Sequence, residues 1–140
     1  MNLLAQKAKV AVATFLALIL LDAGCGRPAA SNPPAPGVFQ GAYLGYSESI
    51  TLKSDGTFSQ RLTFANTTYS NSGSWSFEFR RMQGKIAFRP YLSAVNTSVL
   101  PPRAQIPPVK YGFYEGDWIA GRDQIHLTSE NGIFVQRTSN

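Results

Sequence analysis

Ile50-Thr-Leu-Lys-Ser-Asp-Gly-Thr-Phe-Ser-Gln-Arg-Leu-Thr-Phe64 decides the fold of this chain, together with Gly73-Ser-Trp-Ser-Phe-Glu-Phe79 just beyond it. Apolar and polar residues alternate on both sides of Ser54-Asp55-Gly56, the period of a half-buried strand. Asp55-Gly56 supplies the turn: glycine accepts positive φ without steric cost, and an aspartate side chain can bond to the backbone two residues on. The reading is therefore a β-hairpin followed by a third strand. Phe58, Leu62 and Phe64 share one row with Gln60, while Thr57, Ser59, Arg61 and Thr63 take the other.

The same period recurs along the chain from Val38 to Asn140, where no helical period is found. Phe39–Tyr46 reads as a first strand bent at Gly41 and Gly45, and Glu48–Lys53 as a second with Ile50 and Leu52 on one face. Thr57–Phe64 is the third. Ala65–Ser72, rich in Asn, Ser and Thr, reads as a loop. Gly73–Arg80 is the fourth, with Trp75, Phe77 and Phe79 inward, and Lys85–Arg89 the fifth, ended by Pro90. Val109–Glu115 follows with Val109, Tyr111 and Phe113 in one row, then Asp117–Ala120, Gln124–Thr128 and Ile133–Arg137. Glu130-Asn131-Gly132 forms the last hairpin turn. Eight or nine short strands with tight turns predict an all-β domain, an antiparallel barrel or sandwich. A barrel of about eight strands is favoured because closure removes exposed edges.

Upstream, Val10–Leu21 is an uncharged apolar run behind Lys7 and Lys9. It is short for a bilayer span and suits the apolar region of a secretory signal. Ala23, Gly24 and Cys25 follow. Gly26–Gly37, with four prolines and no large apolar side chain, reads as a disordered tether. The chain thus divides into a signal peptide (1–24), a lipidated cysteine with its Pro-rich tether (25–37) and a barrel domain (38–140).

Composition narrows the function. Charged residues make up only 15% and aromatics 12%, enough apolar material for a core. The net charge is +5. Without Lys7, Lys9 and Asp22 it is 11 basic minus 7 acidic, +4. These charges are scattered rather than striped, which argues against nucleic acid. One Cys and one His exclude an internal disulfide framework and a Cys/His zinc cluster. No cofactor is expected.

Leu21-Asp22-Ala23-Gly24-Cys25 resembles the lipobox of bacterial lipoproteins, with Asp22 where an aliphatic residue is usual. The resemblance implies that Cys25 carries the lipid, including palmitate, and becomes the mature N-terminus. It also implies a membrane-anchored domain in the bacterial cell envelope, sorted to the outer membrane given Gly26 after the cysteine. Ordinary signal cleavage, giving a secreted or periplasmic protein, and an uncleaved anchor are the alternatives. Gly41-Ala42-Tyr43, Leu52 through Phe58 and Gly73 through Trp75 resemble the strand, hairpin and strand pattern of small lipocalin-like bacterial lipoprotein domains. They are also similar to the envelope-stress and copper-resistance lipoproteins of the NlpE type. Those carry a Cys-x-x-Cys between the first strands, absent here between Tyr46 and Ile50, so neither a copper nor a redox role is implied.

Catalytic constellations are missing: no Gly-x-Ser-x-Gly elbow, no Walker loop, no His-Glu-x-x-His. His126 alternates with Ile125 and Leu127 and falls on the solvent face without a partner. Glu115 and Asp117 flank Gly116 and read as a solvated bend rather than a carboxylate pair. The expected function is non-enzymatic binding of a small apolar ligand or an envelope partner. The ligand face would comprise Tyr43, Phe58, Trp75, Phe77, Phe79, Tyr111 and Phe113. A structural or assembly role with a filled core is the alternative, and an enzyme the least favoured. Arg80, Arg81, Lys85 and Arg89 gather near one turn and would contact an anionic surface. Pro90–Pro108 is long for a loop. It would be a lid, a polyproline docking segment or, in the favoured reading, a plug for the barrel end.

Overall fold

The computed structural model describes residues 32–128 and 132–139. Among them ten strands form: β1 Gly37–Tyr43, β2 Tyr46–Leu52, β3 Thr57–Phe64, β4 Thr67–Arg80, β5 Gln83–Arg89, β6 Tyr91–Asn96, β7 Arg103–Tyr111, β8 Tyr114–Ile119, β9 Gln124–His126 and β10 Phe134–Arg137. Eight close into an antiparallel barrel in the order β1-β10-β9-β8-β5-β4-β3-β2, and β6 and β7 form a separate two-stranded ribbon. The all-β class and the eight-stranded closed barrel are as expected. Barrel neighbours follow one another in the chain, except where β1 meets β10 at closure and where the ribbon separates β5 from β8.

The hairpin at Asp55-Gly56 forms as its chemistry requires. Gly56 has φ +81°, and Asp55 Oδ1 accepts from the Thr57 amide at 2.9 Å and the Thr57 hydroxyl at 2.6 Å. The register that follows pairs Leu52 with Phe58 and Ile50 with Gln60. Phe58 then meets Phe88 of β5 edge-on at 5.0 Å inside the barrel. Phe39, Ile50, Leu52, Phe58, Ile86, Phe88, Trp118, Ile125 and Val135 join one buried cluster. Each such side chain contributes ~1.5–3 kcal/mol on burial.

Several boundaries differ from the sequence reading. The bend at Gly45 is a full turn at Leu44-Gly45, so Tyr46 begins β2 rather than ending β1. Ala65–Ser72 is not a loop: β4 starts at Thr67 and pairs with β3 from Phe64↔Thr67 to Thr57↔Ser74. Its polar composition misled because Tyr69 and Asn71, on the barrel's inner row, alternate with Thr68, Ser70 and Ser72. Val109–Glu115 is not one strand but the end of β7, a break at Gly112-Phe113 and the start of β8. Pro90–Pro108 is no irregular loop: it holds β6 and most of β7. Of the last hairpin turn, Glu130 and Asn131 lie outside the described residues; Gly132 has φ +65° and the Leu127 amide bonds to Ile133 O at 2.8 Å.

The two ends of the barrel differ. The ribbon leaves β5 after Arg89 and returns at Tyr114, lying over the end that carries the β1–β2 and β3–β4 turns. At the opposite end the chain arrives from the N-terminal side. There Pro34 is buried, Trp118 Nε1 donates to Asn32 O at 3.0 Å, and the Arg137 guanidinium donates to Ala35 O at 2.6 Å and Pro36 O at 3.0 Å. The described end of the expected tether, residues 32–37, is therefore packed on the barrel. The leader, Cys25 and residues 26–31 lie outside the described residues. No helix among the described residues is long and apolar enough to cross a membrane.

Candidate functional site

Strand alternation puts Tyr46, Glu48, Ile50 and Leu52 of β2 in one inward row, all buried. Glu48 is thus a carboxylate inside an apolar barrel, 2% exposed. Its oxygens are satisfied by neutral donors. Tyr91 OH donates to Oε1 at 2.7 Å, Gln60 Nε2 donates to Oε1 at 2.7 Å, and Tyr43 OH donates to Oε2. Among the described residues Glu48 belongs to no ion pair. Burial pushes its carboxyl above the ordinary range, and the bonds from Tyr43, Tyr91 and Gln60 oppose that shift. Burial and then the Glu48 charge push the Tyr91 and Tyr43 phenols up as well, so both remain protonated donors. The same two causes move Tyr114, stacked on Tyr91 at 4.4 Å, up to about 12.

This network fastens the ribbon to the wall. Gln60 Nε2 also donates to Leu92 O at 2.8 Å, and Gln60 Oε1 accepts from the Leu92 amide at 3.0 Å. Asn71 Nδ2 donates to Gln60 Oε1 at 3.2 Å and to Pro90 O at 3.0 Å. Tyr46 OH reaches Gln105 O of β7 at 2.6 Å. With these bonds in place, β6 inserts Tyr91 and Val95 into the main buried cluster, while Ala94 joins a second with Tyr46 and Leu62. A group so enclosed and so fully bonded holds two pieces of backbone together; solvent and solutes do not reach it.

The expected ligand face divides. Tyr43, Phe58, Trp75 and Phe77 lie inside or pack on the core. Trp75 Nε1 is tied to Lys53 O at 3.0 Å. Phe79, Tyr111 and Phe113 are not part of that face: they are 39%, 42% and 49% exposed. Phe79 keeps the inward phase of β4, but β4 runs past the start of β3 after Ser74, so nothing covers it on that side. Tyr111 belongs to the outer ribbon strand, and Phe113 to the connector, where Arg89 lies over its ring at 4.7 Å. The expected anionic-contact group divides too. Arg80 pairs with Glu78 at 3.1 Å and with Glu115, and Lys85 pairs with Asp117. Arg81 sits in the β4–β5 turn, while Arg89 lies at the other end of β5. Glu115 and Asp117 are mid-strand on β8, not in a bend, and spend their charge on those cations. His126 is half-buried on the outer row of β9, stacked on Phe134 at 5.5 Å, with Nε2 3.2 Å from Gln124 Oε1.

The clefts lie on the outside. One of about 540 Å³ runs between the ribbon tip, at Thr97 and Leu100, and the wall at Lys85, Asp117 and His126. Another of about 470 Å³ is lined by Glu78, Arg80, Lys85, Arg89 and Glu115. Among the described residues no group of three or more His, Cys, Asp or Glu side chains is placed to hold a metal ion.

Sequence reasoning named Tyr43 but missed Glu48, Gln60 and Tyr91. The signal was present: a glutamate two residues before Ile50 and four before Leu52, in the row already read as inward, and a glutamine in the row of Phe58 and Leu62. Tyr91, the third partner, fell in a segment read as a loop, where no phase could be assigned. Compared with protein-family models, with curated proteins and with solved structures, the chain matches none.

Proposed function

We propose that this chain is a non-enzymatic lipoprotein of the bacterial cell envelope, anchored by lipid on Cys25. Its barrel, resembling small lipocalin-like domains, is filled by its own ribbon, and its binding is done by the outside. The observation that carries the filled-core reading is the insertion of Tyr91 and Val95 into the barrel's buried cluster. A lipocalin-like domain with an apolar ligand needs that space empty. Of the two branches expected from sequence, an interior ligand and a filled scaffold, this favours the second. A partner then meets the outer wall or the ribbon. The sealed Glu48 and the ion-paired Glu115 and Asp117 support a non-catalytic role, because a general acid or base must reach its substrate.

Two measurements test the two halves. Labelled palmitate should enter the wild type and not Cys25→Ala, and globomycin should block maturation; an unlabelled wild type removes the anchor. Titration with a fluorescent fatty acid should give no saturable binding displaced by unlabelled fatty acid. Saturable, competed binding would restore the interior-ligand reading.

A further inference from the structure

The two strands of the ribbon differ in burial. β6 supplies the core, with Tyr91, Ser93, Ala94 and Val95 buried. β7 rides outside and pairs only with β6. Six of the ten exposed large apolar side chains described for this protein fall between Val99 and Phe113: Val99 39%, Leu100 83%, Ile106 56%, Val109 41%, Tyr111 42% and Phe113 49%. Scattered single apolar residues on a surface need no explanation, but a concentration on one element does. The patch does not invite another strand, because Pro107 and Pro108 remove two amide donors from β7.

Charge tells which occupant fits. From Phe79 to Tyr114 the sequence contains no Asp or Glu and six basic residues. Arg80 and Lys85 are neutralised by ion pairs, whereas Arg89, Arg103 and Lys110, all exposed, belong to none of the ion pairs among the described residues. Arg103 and Lys110 belong to β7 itself, and Arg89 lies over the Phe113 ring. A hairpin with Leu100 exposed at its turn, exposed aliphatic and aromatic side chains along the returning strand, cations among them and no acid in the ribbon's own sequence matches an anionic lipid–water interface. There apolar groups enter the headgroup boundary and each cation gains from the surface potential.

We propose that the β6–β7 ribbon is a membrane-contact element, the Val99–Pro102 turn and the exposed side chains of β7 seating on anionic lipid headgroups. It acts independently of any lipid at Cys25, because the ribbon lies at the end of the barrel opposite to Asn32–Pro36. The contact holds equally for a chain processed by ordinary cleavage.

Cys25 is the only cysteine, so full-length Cys25→Ala accepts a single environment-sensitive label at a chosen site. The two sites are Leu100→Cys on the ribbon and Met82→Cys in the β4–β5 turn at the other end. These side chains are 83% and 84% exposed, so neither change disturbs packing. The label reports its own surroundings, so attachment through the N-terminal segment does not imitate contact by the ribbon. With phosphatidylglycerol vesicles the Leu100 label should shift to the blue and brighten several-fold, and the Met82 label should stay unchanged. Phosphatidylcholine vesicles should give little response. Adding Arg103→Glu and Lys110→Glu should weaken the Leu100 response by about tenfold or more in lipid concentration. No response to phosphatidylglycerol overturns the proposal and leaves the patch to an acidic protein surface. Equal responses from both labels, or a Leu100 response indifferent to the two charge reversals, overturn it as well.

Discussion

Tyr91 Oη and Glu48 Oε1 meet at 2.7 Å where the ribbon enters the barrel. One residue belongs to the wall and the other to the ribbon, 43 positions apart in the chain. The bond is thus part of what closes the barrel end. It also makes the fold sensitive to the protonation of one buried carboxyl.

Burial raises the Glu48 carboxyl above its ordinary value of 4.5. Between that value and the folded one, the native protein holds a proton that the unfolded chain has released. The contribution is complete below 4.5 and is lost as pH rises through the folded value. Glu48→Gln keeps the volume, an acceptor and a donor while removing the titration. Urea midpoints of wild type and Glu48→Gln should therefore move apart with rising pH, the variant gaining on the wild type between pH 5 and pH 8. Midpoints that keep a constant separation over that range would show that Glu48 does not titrate in a shifted position.

Gln60 holds both backbone groups of Leu92, and Gln60→Leu strands them. An orphaned buried polar group costs about 1–3 kcal/mol. The ribbon should open locally before the barrel unfolds, since the wall then holds it only through Tyr91, Asn71, Tyr46 and the buried side chains of β6. In hydrogen exchange the amide of Leu92 should lose protection markedly, while those of Ile86 and Phe88, within the β4–β5–β8 sheet, keep most of theirs.

Gly73 has no room for a side chain. A Cβ there would lie 2.2 Å from Arg89 O and 2.8 Å from Pro90 Cδ, at the corner where β5 turns into β6. Backbone must move to admit a methyl group, at a cost of about 1–3 kcal/mol. Gly73→Ala should lower the melting temperature by at least about 5 °C in a domain of this size. Gly112→Ala, whose Cβ meets nothing within 4 Å, should change it little.

The β4–β5 turn is built from Arg81 and Met82 at φ +49° and +64°. Both central residues of a two-residue hairpin turn need positive φ, which Asn-Gly provides most readily. L-residues with a Cβ are disfavoured there by about 1–2 kcal/mol. Met82 is 84% exposed and packs on nothing that would be lost. Arg81→Asn with Met82→Gly should therefore raise the thermal midpoint by several degrees, and an unchanged or lower midpoint would count against the turn geometry.

What the sequence by itself determined is local. The Asp55-Gly56 turn and the alternation of Ile50, Leu52, Phe58 and Leu62 were enough to place β2 and β3, because each strand's period and its turn chemistry act over a few neighbours. Closure into an eight-stranded barrel was legible from the number of strands and the need to remove edges. The strand through Thr67–Ser72 was not, because its inward Tyr69 and Asn71 stand among polar residues whose intrinsic preference is for turns. Tertiary structure alone decided the site. Glu48 acquires its character only when β6 crosses the barrel end and brings Tyr91 to it from 43 residues away, while Gln60 bonds to Leu92 in the same step. Phe79, Tyr111 and Phe113 look like core residues by composition and are outside because the partner strand ends early or because β6 takes the inner place. The row of Ile50 and Leu52 marks Glu48 as inward, but its bond to Tyr91 and the exposure of Phe113 depend on what distant parts of the chain lay over them, which no pattern within a few positions contains.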